Sequence, residues 1–181
     1  MTVSISLTVD TSRVQRALQI APSRIEKAIL NGLRRGSEVV VKKAQRNLQR
    51  GITPTGSLRG SIWYKIDTAS KISYIGPGMK KKGSKTFGDP ANYGFFVEFG
   101  RKPGGYPPRA VIKAWTQKVL GLSGAELNRV SRAIQHKIAT KGVPPNPYLV
   151  PALEASRAEV IAVFNREVEK AVAAVLDEAS Q

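Results

Sequence analysis

Apolar residues recur along this chain with two different periods, one typical of strands and one typical of helices. Residues 2–9 alternate apolar side chains with Thr and Ser, which predicts a half-buried strand. The ranges Ser61–Asp67 and Lys71–Gly76 are rich in aromatic and β-branched residues and predict a two-stranded hairpin. The chain therefore contains the parts of a small antiparallel sheet.

Helical spacing, with apolar positions every three or four residues, predicts five helices. They span about 12–20, 23–50, 109–120, 124–140 and 151–178. The second helix follows Pro22, and Ser23–Glu26 has the form of a capping box that satisfies free amides at a helix start. Gly32 and Gly36 lie in this helix, and we expect them to permit close approach of its backbone to the sheet.

The segment Tyr93–Phe99 fits both periods. As a strand it places Tyr93, Phe95, Val97 and Phe99 on one face, whereas as a helical turn it pairs Tyr93 with Phe96 and Val97. Its aromatic composition favours the strand.

The order of these elements predicts one α+β domain over residues 1–181. Its antiparallel sheet is packed by long N-terminal and C-terminal helices. A basic loop at residues 77–91 and a two-helix insert at residues 101–142 interrupt this body. Uncharged apolar stretches stay far below the ~20 residues of a membrane span, and no secretion signal is recognisable, so we expect no membrane partner.

The chain has a formal net charge of +16, and its charges are unevenly distributed. Residues 151–181 hold six acidic and three basic side chains, whereas every earlier part of the chain is basic. This sign reversal predicts surfaces of opposite potential, and the total charge favours a polyanionic neighbour. Solvated helix faces are the alternative explanation for any single cluster.

Two basic clusters are candidate contacts with DNA or with a neighbouring ring of subunits. The first is a lysine-rich loop, and the second lies on the outer face of the long second helix. Their residues are Lys80, Lys81, Lys82 and Lys85 in the loop, and Lys42, Lys43 and Arg46 on the helix. Such contacts to a phosphate backbone carry no sequence preference. A solvated loop explains the lysine run equally well.

Residue types that perform catalysis are few. The chain has no cysteine, and its single histidine, His136, lies beside Lys137 in a predicted helix. Neither a Cys–His pair nor a multi-histidine zinc site can be built from this set. Carboxylates outside the last helix are scattered, which disfavours a magnesium nuclease. We therefore expect no enzyme, no metal and no cofactor, and we expect Glu98 to pair with a nearby Arg or Lys.

Four segments, in this order, resemble the tail-component family of long-tailed bacteriophages that includes minor tail protein Z. They are Thr55–Ser61 (TGSLRGS), Tyr93–Gly100 (YGFFVEFG), Pro107–Trp115 (PPRAVIKAW) and Pro145–Ala152 (PNPYLVPA). Each segment alone is weak evidence for the family because its residues are structural, but four segments in the correct order are fairly specific to it. The resemblance covers the chain from about residue 23 to the end, and at Tyr93–Phe99 it favours a short helix that leads into a strand.

The resemblance implies a virion structural protein at the neck or the head-proximal end of the tail. Such a protein forms a ring, often sixfold, that completes the tail and joins it to the head around the DNA path. The implied partners are further copies of the chain, a tail terminator or tail tube protein, and head–tail connector proteins, with nonspecific contact to viral DNA. Its location is the virion, and the host cytoplasm during assembly.

A ring of identical subunits needs complementary surfaces on each copy. We expect the acidic last helix to meet a basic neighbour, so the candidate subunit contacts are Glu159, Glu167, Glu169 and Tyr148. A free, sequence-nonspecific nucleic-acid-binding protein is the main alternative, supported by the sequence pI of about 10.4. A small hydrolase is a further alternative that no residue supports.

Overall fold

The computed structural model describes residues 11–48, 57–78 and 90–178 of the chain. These residues form seven helices and two strands, and β1 and β2 pair as an antiparallel hairpin. The elements are α1 (Thr11–Ile20), α2 (Pro22–Asn47), α3 (Ser57–Ser61), β1 (Trp63–Asp67), β2 (Ile72–Gly76), α4 (Pro90–Phe99), α5 (Arg109–Leu120), α6 (Gly124–Lys141) and α7 (Val150–Glu178). The predicted α+β class with long terminal helices is confirmed.

Most predicted elements match the structure to within three residues at each end, and four features need comment. The strand predicted for residues 2–9 and most of the basic loop lie outside the described residues. The short helix α3 was not predicted. The segment Tyr93–Phe99 belongs to the helix α4, so its aromatic composition pointed to the wrong element.

The described chain divides into two compact units. The first contains residues 11–43, 64–75 and 153–178, and the second contains residues 44–48, 57–63, 76–78 and 90–152. The prediction of a single domain stays a prediction.

The core of the first unit is built from small and β-branched side chains of three helices. Its buried members are Ala17, Ile25, Val168, Val172 and Val175, each at most 4 % exposed. Val168, Val172 and Val175 recur at helical spacing on α7, as the apolar pattern predicted, and α1 and α2 contribute one residue each. Burial of each valine or isoleucine side chain in this core stabilises the fold by roughly 1.5–3 kcal/mol.

Two glycines of α2 let this helix approach α7 closely. A Cβ atom on Gly32 would lie 2.7 Å from the Cδ2 atom of Phe164, and one on Gly36 would lie 3.0 Å from the Cγ1 atom of Val160. The expected close approach is therefore present, but against α7 and not against the sheet.

The hairpin has one covered face and one open face. On the covered face the Ser73 hydroxyl lies 2.6 Å from the Ser37 hydroxyl, and the Tyr64 hydroxyl donates to Glu38 at 3.2 Å. Burial, followed by the charge of Glu38, raises the pKa of Tyr64. On the other face Ile72 and Tyr74 are exposed.

The predicted capping box of α2 is not formed as expected. The helix begins at Pro22, and the Ala21 carbonyl accepts the amides of Arg24 and Ile25 at 3.1 and 3.3 Å. Ser23 therefore lies in the first turn and not at the cap. A proline suits this first position because its missing N–H would have no partner within the helix.

Candidate functional site

Glu98 anchors the start of α7. Its side chain, 5 % exposed near the end of α4, accepts three backbone amides. The donors are Tyr148 at 2.7 Å, Leu149 at 2.8 Å and Val150 at 2.8 Å. A carboxylate at this position satisfies donors that a helix start leaves free and complements the positive end of the helix dipole.

This geometry corrects the expected role of Glu98. An Arg or Lys partner was expected, but the partners among the described residues are backbone amides. The next residue of α7, Pro151, has no N–H, so it adds no donor that needs a partner.

Three of the segments that carry the family resemblance meet around Gly94. A Cβ atom on Gly94 would lie 2.6 Å from the Cγ atom of Pro77 and 2.9 Å from the Cδ1 atom of Leu58 in α3, so a larger residue would force a neighbour to shift. The hydroxyl of Tyr148 donates to the Gly94 carbonyl at 3.5 Å, and the Asn146 amide donates to the Val97 carbonyl at 2.7 Å. The segments around residues 58, 94 and 148 therefore form one packed structure.

Tyr148 is an interior residue of its own chain. It is 1 % exposed, and its carbonyl accepts the side-chain amide of Asn47 at 3.0 Å. Burial, followed by the charges of Glu98 and Tyr93, raises the pKa of the Tyr148 hydroxyl. Its side chain is therefore used in packing, and we no longer count it among the candidate subunit contacts.

The opposite face of α4 carries exposed aromatic side chains. Phe95, Phe96 and Phe99 are 58 %, 46 % and 50 % exposed. The ring centroids of Phe95 and Phe99 are 4.8 Å apart, and those of Phe95 and Phe96 are 6.0 Å apart. We call these three residues the phenylalanine patch. Had Tyr93–Phe99 been treated as a helix, the spacing of these three residues in the sequence would have placed them on one face.

The two-helix insert closes on itself at its base. Arg101 and Val143 exchange two backbone hydrogen bonds of 2.8 Å as an isolated antiparallel bridge. Gly142 has φ 73°, and a Cβ atom there would collide with the Arg101 carbonyl oxygen. Gly100 has φ 74°, and its Cβ atom would lie 2.8 Å from the Val143 carbonyl oxygen. Both positions require glycine.

Within the insert, α5 and α6 pack together and are joined by a turn at Gly121. The linker before α5 is held against α6 by three hydrogen bonds. They are Gly104 N–H to the Ala139 carbonyl at 2.8 Å, Gln135 Nε2 to the Pro107 carbonyl at 2.6 Å, and the contact between the Tyr106 hydroxyl and His136 Nδ1 at 3.0 Å. His136 therefore has a structural partner.

The predicted basic contacts separate into two groups. The loop residues Lys80, Lys81, Lys82 and Lys85 lie outside the described residues. On α2, Lys42 and Arg46 are exposed, whereas the Lys43 ammonium donates to the Ala155 carbonyl at 2.7 Å. Lys43 is therefore partly committed to its own chain.

The predicted acidic contacts also differ from one another. Glu159 and Glu169 are exposed on α7, whereas Glu167 forms an ion pair with the Arg35 guanidinium at 3.3 Å. Only the first two are therefore fully available to a neighbour.

No group of three or more His, Asp or Glu side chains that could hold a metal ion occurs in the described residues. None of the described helices has the length and apolar content needed to cross a membrane. Comparison of the chain with models of protein families, with curated proteins and with solved structures gave no match.

Proposed function

We propose that this protein is a virion structural subunit at the neck or the head-proximal end of a bacteriophage tail. It forms a ring that completes the tail and joins it to the head around the DNA path, and it performs no catalysis. Its partners are further copies of the chain, the tail terminator or tail tube protein, and the head–tail connector. This proposal starts from the four ordered segments of the sequence.

The observation that carries the proposal is the use of Glu98. This buried carboxylate, the one acidic side chain of the YGFFVEFG segment, has three backbone amides as partners. A carboxylate committed in this way holds the segment against the start of α7 and is not presented to a substrate. The segments that carry the resemblance therefore hold the fold of the subunit together, as expected for a protein that acts by assembly.

The phenylalanine patch supports assembly. Three neighbouring aromatic rings at about half exposure are an apolar surface that favours burial against another protein. In a ring, a second copy of the chain is the neighbour available to cover it. The exposed carboxylates of α7 and the basic remainder of the chain provide charge complementarity for the same assembly.

Electron microscopy of lysates from a virus lacking this gene tests the proposal. We expect DNA-filled heads beside separate tails of normal length, with joined particles restored when the gene is supplied from a plasmid. Overlong tails would instead assign the protein to tail termination. Intact infectious particles would overturn the proposal and favour a free nucleic-acid-binding protein.

A further inference from the structure

The two-helix insert concentrates positive charge. Residues 101–142 contain nine Lys and Arg side chains and a single carboxylate, Glu126, which gives a net charge of +8. This is half of the net charge of the chain, carried by less than a quarter of its residues. All residues of the insert are described in the structure.

These charges are not neutralised within the insert. Among the described residues, its one ion pair joins Arg129 to Glu126 at 4.0 Å, and both side chains are largely exposed. Such a pair contributes at most about 1 kcal/mol and leaves both groups open to exchange partners. Of the remaining cations of the insert, Arg101 donates to the Gly105 carbonyl, whereas Lys113, Lys118, Arg132 and Lys137 are exposed.

The exposed cations of α6 and its histidine define a surface. On α6, Arg129, Arg132 and His136 follow one another at steps of three and four residues, and all three are exposed. At a rise of about 1.5 Å per residue, this row extends roughly 10 Å along the helix. Lys137 is exposed beside the row. The two guanidinium groups of the row and the Lys137 ammonium provide the positive charge that a phosphate backbone attracts.

An exposed aromatic side chain accompanies this row. Tyr106 is 61 % exposed, and its hydroxyl is held 3.0 Å from His136 Nδ1, next to the basic face of α6. A tyrosine in this position can contact sugar and phosphate beside the cations. The bridge between Arg101 and Val143 fixes the base of the insert, so its basic face is presented on a defined scaffold.

We propose that the exposed face of α6, with Tyr106, is a sequence-nonspecific binding surface for the phosphate backbone of duplex DNA. Charge complementarity selects a polyanion. The described aromatic residues of the insert do not form the row of stacking rings that single strands require. The inference deepens the proposed function by naming the surface that meets DNA. It rests on the proposed function only for the identity of the DNA, which would be the viral DNA that passes through the ring.

The test uses the purified full chain and a fluorescent 30-base-pair duplex, with anisotropy measured over a series of salt concentrations. The variant carries Arg129→Gln, Arg132→Gln and Lys137→Gln. If all three contact phosphates, the slope of log K against log[salt] falls by about 2.7, at roughly 0.9 per contact. Affinity at low salt falls at least tenfold.

A matched control removes the same charge elsewhere. It carries Arg157→Gln, Arg166→Gln and Lys170→Gln, three exposed cations of α7. We expect this control to keep a slope within about one contact of the unaltered chain. Equal losses in both variants would overturn the proposal, because net charge alone would then explain binding. An unchanged insert variant would overturn it as well.

Competition with polyglutamate separates DNA from an acidic protein surface. We expect duplex DNA to compete far better than polyglutamate at equal charge, and equal competition would assign the surface to an acidic protein partner. A single-stranded competitor stronger than the duplex would contradict the proposal. Binding by the purified chain and joining of heads to tails are separate readouts, so either proposal can fail alone.

Discussion

Glu98 and Val150 are separated by 52 positions in the chain, yet the Glu98 carboxylate accepts the Val150 amide at 2.8 Å. The same carboxylate accepts the amides of Tyr148 and Leu149. One side chain at the end of α4 therefore determines where the long helix α7 begins.

Replacing Glu98 by Ala should destabilise the protein strongly. Three amides would lose their charged acceptor, and buried donors without partners cost roughly 1–3 kcal/mol each before solvent relaxation. We expect a loss of about 3 kcal/mol in the free energy of unfolding, measured by urea denaturation followed by circular dichroism. The exposed Glu159→Ala is the control, and a loss for Glu98→Ala no larger than this control's would contradict the capping role.

Replacing Tyr148 by Phe should change the response to alkaline pH. The folded chain raises the pKa of this hydroxyl, so above the unfolded value near 10 the unfolded chain releases a proton that the folded chain keeps. The contribution of the protonated Tyr148 hydroxyl to the free energy of unfolding is therefore fully present below about pH 10 and is lost as the pH rises further. We expect Tyr148→Phe to lose less stability between pH 9 and 11 than the unaltered chain.

The measurement is urea denaturation at both pH values. At pH 7 the Phe variant should stay within about 1 kcal/mol of the unaltered chain, since the hydrogen bond to Gly94 is long. Equal alkaline losses in both proteins would show that other groups control the alkaline transition.

The insert should be removable. Arg101 and Val143 are hydrogen-bonded partners, so Asn-Gly in place of residues 102–142 can close the chain as a two-residue hairpin turn. We expect the shortened protein to unfold cooperatively and to lose binding to duplex DNA. Loss of cooperative thermal unfolding would mean that the rest of the chain depends on the insert.

A smaller change tests the same bridge. Gly142→Ala places a side chain at φ 73° against the Arg101 carbonyl and should cost roughly 1–3 kcal/mol. Gly121→Ala is the matched control, because its φ is 67° but no atom lies within 4 Å of the added Cβ. A similar loss in both variants would assign the cost to backbone conformation alone.

The phenylalanine patch should mediate self-association. We expect Phe95→Ser together with Phe99→Ser to raise the dissociation constant between copies about tenfold or more, because truncated interface aromatics commonly cost over 1 kcal/mol each. Sedimentation velocity over a concentration series measures this effect. Trp115→Ser, which removes an exposed aromatic from α5, is the control. Unchanged association would exclude the patch from the interface.

Charge reversal on α7 should weaken assembly. We expect Glu159→Lys with Glu169→Lys to slow ring formation, most clearly at low salt, if this helix faces a basic neighbour. Glu167→Lys is a separate case because it also breaks the ion pair with Arg35 and alters the chain itself. Assembly that proceeds unchanged at all salt concentrations would remove α7 from the proposed interface.

Periodicity by itself predicted five of the seven described helices, and residue composition predicted the hairpin. The apolar residues of α2 and α7 recur over many turns, so Ile25 and Val172 could be assigned to buried faces without knowledge of their partners. The sign reversal of charge after residue 150 was equally visible. These properties depend on neighbours within the same element, which the sequence lists directly.

Tertiary structure alone decided the state of Tyr93–Phe99 and the use of its residues. The segment is too short for its apolar spacing to distinguish a strand from a helix. Its inner face is defined by two tertiary contacts, the approach of Leu58 to Gly94 and the capping of α7 by Glu98. The same holds for the contact of Gly32 with Phe164, far apart in the chain. Pairings over such separations depend on which surfaces fit together, and local side-chain preferences do not specify that.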